Sequence, residues 1–228
     1  MKLYCKLLRQ LKKHLPKKRW MALGDSRVNG FNGLILFFVI FAFVRIIWWG
    51  GDSNFALYTG YDGTHKPTPV MTFINLEKYN QWISEKTADG VNFFTRVAFR
   101  QETIHNNVDI FILENGKYAG GVKIFPTCAG NREMVIILLV MLLLPGPTKP
   151  RLWFIPASLI AFFIINCFRL AFVAYITKID MNIFVQVHDY SGKAMSVFVF
   201  FIWLLWEKRY AEKYRLNAWK QVENEERD

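Results

Sequence analysis

The sequence predicts a mainly α-helical membrane protein with about four transmembrane helices and an α+β insertion on the outer face. Long apolar segments with few charges indicate the membrane helices, and Lys and Arg cluster on one side of them. A long stretch between the first two spans supplies the insertion. We divide the chain into a basic cytoplasmic N-terminus (1–29), a first transmembrane helix (30–50), the outer insertion (51–126), a helical core of three spans (127–206) and a cytoplasmic tail (207–228).

The first span, Phe31 to Trp49, contains one charge, Arg45. At about 1.5 Å per residue it is long enough to cross a hydrocarbon core of roughly 30 Å. An arginine near the end of a span commonly extends its guanidinium to the interface. Arg45 is therefore left without an assigned role.

Three further apolar segments follow the insertion. Met134 to Leu144 is short alone, but Thr127 to Gly146 gives a full span that opens at Cys128. Leu152 to Thr177 forms the next span, and Ala194 to Trp206 forms the core of the last. The interruptions of the long third span are polar or small: Asn166, Cys167 and Arg169.

The distribution of basic residues predicts which side of the membrane each segment occupies. Those before the first span are Lys2, Lys6, Arg9, Lys12, Lys13, Lys17, Lys18, Arg19 and Arg27. The turn at residues 145–151 and the tail after Glu207 are also basic, whereas Gly51 to Phe125 carries seven Lys/Arg against eight Asp/Glu. Both termini are thus predicted to be cytoplasmic. The net charge of +11 is then explained mainly by the basic segments on the cytoplasmic side of the membrane. Nucleic-acid binding is disfavoured because the sequence contains no nucleic-acid-binding motif.

The outer insertion begins with turn-rich sequence, so we expect irregular chain at residues 50–54 and from Tyr58 to Pro69. Apolar residues at helical spacing between Asn75 and Phe99 predict two amphipathic helices with a break at Ala88 to Gly90, one of them suited to the membrane surface. Two strands, Val108 to Leu113 and Tyr118 to Phe125, flank an Asn-Gly turn and predict a β-hairpin. Its free edge could bind an extended substrate by strand addition, or the hairpin could simply cover a site.

Three reactive side chains lie at one predicted depth in three different spans. Cys128, Arg169 and His188 are 18, 17 and 18 residues from the cytoplasmic ends of their spans, at Gly146, Leu152 and Trp206. That distance is on the order of 26 Å, near the outer boundary of the hydrocarbon. Their convergence separates them from Cys5 and His14 on the cytoplasmic side. For Cys167, which lies at a similar depth, packing in an apolar helix is the preferred interpretation.

The sequences around these residues form three motifs in a fixed order. Cys128-Ala129-Gly130 heads one apolar helix, Asn166 to Arg169 lies within the next, and His188 to Gly192 leads into the last. Together they resemble the exosortase/archaeosortase family of membrane-embedded cysteine transpeptidases, over roughly Gly121 to Trp206. The chain has fewer predicted spans than typical members and is similar to a short-form member.

This resemblance implies a location and a class of substrate. It implies a multi-pass protein of a prokaryotic cytoplasmic (inner) membrane, with its active site facing outside. It also implies membrane-anchored protein substrates whose C-terminal sorting signal combines a short motif, a span and a basic cluster, and a lipid- or polysaccharide-linked acceptor. We expect no cofactor and no metal, because the sequence lacks metal-binding Cys/His spacing and phosphate-binding loops.

The residues themselves suggest an acyl-thioester mechanism. Only a thiolate is a competent nucleophile, and a helix N-terminus and a nearby cation, both predicted for Cys128, favour that form. His188 can shuttle a proton near neutral pH. Arg169 could activate the thiol or hold the oxyanion with the backbone amides of Ala129 and Gly130, and these roles stay open.

Supporting residues are assigned with their alternatives. Asn166 shares a helical face with Arg169 and could bind the guanidinium or the substrate backbone, or simply join two helices. Gly130 permits a close approach to the nucleophile or close packing. Asp189 is discounted as a partner of His188 because adjacent residues point in different directions, and Arg132 and Glu133 receive no role.

Two rival functions remain at this stage. A non-catalytic component of membrane assembly or polysaccharide export would use Arg169 and Asn166 only to hold helices together, and Cys128 would be dispensable. An intramembrane protease would use the same three residues with water as the acceptor. The sequence does not separate hydrolysis from transfer.

Overall fold

The computed structural model describes residues 2–16, 21, 23–47, 54–61, 67–75 and 77–225. The predicted end of the first span at Trp49, the basic residues 17–19 and the start of the turn-rich segment at 50–53 lie outside these residues. The helices are α1 Lys2–His14, α2 Ser26–Ile47, α3 Glu77–Val97, α4 Asn131–Leu143, α5 Thr148–Ile179, α6 Phe184–Trp206 and α7 Glu212–Asn224. The strands are β1 Asn54–Tyr61, β2 Pro67–Asn75, β3 Glu102–Asn106, β4 Asp109–Glu114 and β5 Lys117–Lys123.

Two of the described helices are long and apolar enough to cross a membrane, at Asn29–Ile47 and Thr148–Ile179. Helix α4 has 13 residues, about 20 Å at 1.5 Å per residue, which is shorter than the hydrocarbon core. Helix α6 carries His188, Asp189 and Lys193 in its first half. The mainly helical prediction is therefore confirmed, but the count of four spans is not.

The chain divides into two compact units, which we describe separately. The first contains residues 1–42, 136–158 and 200–228, and the second contains residues 43–135 and 159–199. In the first unit, Cys5 and Leu8 of α1 pack against Ala218 and Val222 of α7. The exposed face of the same helix pair is joined by ion pairs, including Arg9 to Glu225 at 2.7 Å.

The first unit also buries a charged pair. Glu207 opens a π-helical turn, Glu207–Ala211, and accepts hydrogen bonds from the guanidinium of Arg215. Arg215 donates in addition to the backbone carbonyl of Asn29 at 3.2 Å. A buried charge is tolerated when it is paired and hydrogen-bonded, so this pair fixes the start of the tail against the N-terminal part of α2.

The predicted hairpin forms, and it belongs to a three-stranded antiparallel sheet in the second unit. Strand β4 lies between β3 and β5, with Glu114 paired to Lys117 around the turn. Asn115 and Gly116 have φ angles of 52° and 74°, as the tight turn of a hairpin requires. Strand β3 was not predicted, because its five residues are mostly polar and only Ile104 is a large apolar side chain.

The sheet packs on α5 through β5. The backbone N–H of Gly121 donates to Thr177 Oγ1 at 2.9 Å, and a Cβ at Gly120 would lie 2.8 Å from the backbone nitrogen of Lys178. Because the end of α5 occupies this part of the edge of β5, an extended substrate has no room to add a strand there. The contact favours the covering role of the hairpin over strand addition.

Two predictions for the insertion are wrong. Where the structure describes the turn-rich segment, it is regular: β1 and β2 pair antiparallel from Asn54 with Asn75 to Tyr61 with Pro67, with several register shifts. A two-stranded ribbon consists of edge strands alone, so it tolerates the prolines of β2, whose missing N–H groups need no partner. The residues between the strands, 62–66, lie outside the described part of the chain.

The predicted break at Ala88 to Gly90 is also wrong, because α3 is one continuous helix. Ala88 and Val91 are fully buried in a core that includes Ile110, Ile124 and Cys167. A Cβ at Gly90 would lie 2.6 Å from Cys167 Sγ. Gly90 is therefore a close-packing residue, and the helix persists because burial of its apolar face outweighs the low helix propensity of one glycine.

Gly90→Ala should lower the apparent melting temperature of the detergent-solubilised protein. The added methyl overpacks the contact with Cys167 at a cost of about 1–3 kcal/mol, of which the better helix propensity of alanine recovers about 1 kcal/mol. Cys167→Ala in the same chain should restore part of the loss. Gly30→Ala is the matched control, since nothing lies within 4 Å of its added Cβ; equal melting temperatures for the two glycine variants would contradict the packing role.

Candidate functional site

Cys128, Arg169 and His188 line one cavity of about 260 Å³ in the second unit. They come from the turn before α4, from the middle of α5 and from the second turn of α6. Each of the three is partly exposed. The structure thus brings together the three side chains that residue counting placed at one depth in the membrane.

Cys128 lies in a turn between β5 and α4. Its backbone N–H donates to the carbonyl of Phe125 at 2.9 Å, and the N–H of Ala129 donates to the same oxygen at 3.1 Å. Helix α4 begins at Asn131, so the prediction that Cys128 starts the helix is wrong by three residues. The N–H of Ala129 is already used within the turn, which argues against the oxyanion role suggested for this amide.

Gly130 turns the chain from the nucleophile into α4. Its φ is +83°, a left-handed conformation that glycine adopts without strain. A Cβ at this position would lie 2.7 Å from Phe162 Cε1 and 3.3 Å from Asn166 Nδ2. These contacts favour the close-packing alternative for Gly130, and the approach of a backbone to the nucleophile stays a prediction.

The thiol and the imidazole are in direct contact. Cys128 Sγ lies 3.6 Å from His188 Nε2, within hydrogen-bonding distance for sulfur. The His188 ring stacks on Phe184, with centroids 5.9 Å apart. Its other nitrogen, Nδ1, lies 3.3 Å from Asp189 Oδ1, so the sequence argument that discounted Asp189 is wrong: the neighbouring side chain turns back to reach the ring.

Arg169 is held by hydrogen bonds on two sides. Its Nη1 donates to Asn166 Oδ1 at 3.0 Å, and its Nε donates to Ser191 Oγ at 3.0 Å. Asn166 is 1% exposed, and its Nδ2 donates to the backbone carbonyl of Cys128 at 3.0 Å. Asn166 thus links the guanidinium directly to the turn that carries the thiol.

A second group of charges lines the same cavity and was left without a role by the sequence. Glu133 is 6% exposed and accepts hydrogen bonds from Arg132 at 2.8 and 3.1 Å. Arg45 Nη2 lies 3.8 Å from the Glu133 carboxylate and donates to Ser196 Oγ. Glu133 is a lone carboxylate in the first turn of an apolar helix. Because a buried acid needs cationic partners, this position could have indicated the pairing from the sequence.

The arrangement suits nucleophilic chemistry. A thiol, an imidazole and a hydrogen-bonded guanidinium line one cavity, which is the combination that covalent catalysis by a cysteine uses. Within the described ranges, no group of three or more His, Cys, Asp or Glu side chains could hold a metal ion.

His188→Ala should slow the alkylation of Cys128 about tenfold near neutral pH, because the imidazole accepts the thiol proton; a tenfold change corresponds to about 1.4 kcal/mol. The measurement uses Cys5→Ala/Cys167→Ala protein, since both of these cysteines are buried among apolar residues and alanine leaves no buried hydroxyl there. His105→Ala is the matched control, a partly exposed histidine on β3. Equal rates for the two histidine variants would refute an activating contact.

Comparison with known proteins identifies the family. A family model described as transmembrane exosortase matches residues 20–207. Comparisons with curated proteins and with solved structures found no match. The matched range contains the cavity residues and all three motifs on which the resemblance was based. It covers well over half of the 228 residues, and the chain therefore belongs to the transmembrane exosortase family.

Proposed function

We propose that the protein is a membrane-embedded cysteine transpeptidase that cleaves the C-terminal sorting signal of surface-destined proteins through an acyl-thioester on Cys128. The observation that carries this proposal is the 3.6 Å contact between Cys128 Sγ and His188 Nε2. Arg169 lines the same cavity and supplies a permanent positive charge. Family membership supports the general role.

The first half of the reaction forms the thioester. His188 Nε2 takes the proton of the thiol, and Sγ attacks the carbonyl carbon of the substrate peptide bond. The resulting oxyanion is stabilised mainly by the Arg169 guanidinium, because the amides of Cys128 and Ala129 are engaged with Phe125 and, of the amides considered, only that of Gly130 is left to assist. Collapse of this intermediate breaks the C–N bond, and His188 returns its proton to the leaving amine.

The second half releases the acyl group. An acceptor with an amine or hydroxyl attacks the thioester carbonyl, His188 accepts its proton, and the thiolate of Cys128 leaves. A lipid- or polysaccharide-linked acceptor gives transfer, and water gives hydrolysis. Asp189, at 3.3 Å from His188 Nδ1, favours the tautomer in which Nε2 is free to accept a proton.

The charge pattern supports an outer-face location for this chemistry. Basic residues precede α2 and follow α6, whereas the insertion carries a near balance of charges. Both termini are proposed to be cytoplasmic in the inner membrane. Substrates with a C-terminal span would then present their cleavage motif at the level of Cys128.

Cys128→Ala should abolish processing in cells. Membrane proteins with a C-terminal span and basic cluster should accumulate at full length, because no acyl-thioester forms. The measurement is quantitative mass spectrometry of C-terminal peptides in cells carrying the wild-type or variant protein. Cys167→Ala is the matched control: its thiol is buried and contacts the backbone carbonyl of Thr87, so processing should continue.

The products distinguish the remaining functions. A new C-terminus that carries an adduct means transfer, and a free carboxylate means hydrolysis. Unchanged processing in Cys128→Ala cells would exclude both enzymatic functions and favour a non-catalytic component of assembly or polysaccharide export. In that case Arg169 and Asn166 would serve only to hold helices together.

The topology makes a separate prediction. In a chain without its native cysteines, Lys117→Cys in the hairpin turn should react with a membrane-impermeant maleimide on intact spheroplasts. Asn217→Cys on α7 should react only after permeabilisation; both positions are exposed, so access depends on the side of the membrane. Labelling of both positions on intact spheroplasts would overturn the proposed orientation.

A further inference from the structure

A closed ring of contacts surrounds the nucleophile, and one of its members, Ser191, is not explained by the proposed reaction. Ser191 Oγ accepts a hydrogen bond from Arg169 Nε at 3.0 Å and donates to the backbone carbonyl of His188 at 3.0 Å. Its hydroxyl therefore joins the cation of α5 to the backbone of the residue that contacts the thiol. We infer that Ser191 is a positioning residue that, with Asn166, holds the Arg169 guanidinium in place for the Cys128 thiolate; the inference rests on the proposed function of this site.

Two hydrogen bonds are enough to fix the orientation of a guanidinium, because the group is planar and its donors have a fixed geometry. Asn166 holds Nη1 and Ser191 holds Nε. Among the described residues, Nη2 makes no hydrogen bond, and it lies 3.8 Å from where a Cβ on Gly192 would be. The hydrogen bonds at Nη1 and Nε therefore already set the direction in which the remaining N–H groups of the guanidinium point.

The chemistry of the two partners matters as much as their geometry. Asn166 Oδ1 and Ser191 Oγ are neutral acceptors, so they orient the guanidinium without cancelling its charge. A carboxylate in either place would form an ion pair and weaken the attraction for an anion on sulfur. The buried carboxylate of the cavity, Glu133, is instead engaged by Arg132 at 2.8 Å. Among the described residues, no carboxylate hydrogen-bonds to Arg169, so its charge remains available to the thiolate.

The ring also couples the nucleophile to its base. Asn166 holds the backbone carbonyl of Cys128 at 3.0 Å, and Ser191 holds that of His188. Cys128 and His188 meet through their side chains at 3.6 Å. Loss of the Ser191 hydroxyl opens this ring between Arg169 and α6, and the guanidinium then keeps a single fixed partner.

A double-mutant cycle on the alkylation of Cys128 tests the inference. The full-length Cys5→Ala/Cys167→Ala protein in detergent is treated with iodoacetamide near neutral pH; this neutral reagent does not itself respond to the charge of Arg169. Arg169→Ala should slow alkylation about tenfold and Ser191→Ala several-fold. Because the serine acts through the arginine, Ser191→Ala should have no further effect in the Arg169→Ala chain.

Two more variants separate positioning from a structural role. Ser191→Thr retains the hydroxyl, and threonine can also bond the carbonyl three residues before it in a helix, so alkylation should stay near the wild-type rate. Ser191→Asp retains an acceptor but cancels the charge, and should be as slow as Arg169→Ala. Ser84→Ala is the matched control: this buried helical serine also bonds a backbone carbonyl, that of Asn80 at 2.7 Å, and its loss should not change the rate.

The inference is overturned by any of four results. These are an unchanged rate in Arg169→Ala or in Ser191→Ala, equal slowing by Ser191→Ala with and without Arg169, and a Ser191→Thr rate as low as that of Ser191→Ala. Alkylation needs no substrate, so the outcome is independent of processing in cells. If the two substitutions are coupled in the alkylation cycle but cells process no substrate, only the proposed function is refuted. If cells process substrate but the effects of the two substitutions add, only the positioning role of Ser191 is refuted.

Discussion

The site depends on one costly arrangement, a permanently charged guanidinium on a long apolar helix. A charge in such a segment persists only where polar groups replace the water it has lost. Asn166 and Ser191 supply that replacement for Arg169 from α5 and α6. The same two side chains also bond to the backbone carbonyls of Cys128 and His188. The groups that solvate the cation therefore also hold the backbone of the nucleophile and of its base.

Close packing brings the remaining elements to this charge. Glycines at 90 and 130 let α3 and the Cys128 turn approach side chains of α5 that a Cβ would displace. Gly120 lets β5 approach the end of the same helix, because a Cβ there would lie 2.7 Å from Thr177 Oγ1. Three separate parts of the chain therefore use α5 as their common support, and the sheet leads directly into the turn that carries the thiol.

Much of the site could be predicted from the sequence, because depth along a span follows from counting residues. Cys128, Arg169 and His188 were placed together in this way, and the Asn-Gly turn of the hairpin followed from local backbone preference. The contacts of Ser191, Asp189 and Glu133 could not be predicted. They depend on which way a side chain turns within a helix and on pairing between separate elements, such as Glu133 with Arg45. The break proposed at Gly90 failed for a similar reason, since a tertiary contact with Cys167 determines why a glycine stands there.

The turn before α4 uses both of its first amides on the carbonyl of Phe125. Many hydrolases stabilise an oxyanion with rigid backbone dipoles beside the nucleophile; in the proposed reaction that stabilisation comes from a side chain on another helix. The distance between charge and nucleophile would then be set by one amide, because Asn166 bonds both the guanidinium and the backbone of Cys128. A change at that single side chain would disturb the geometry of attack and the stabilisation of the intermediate together.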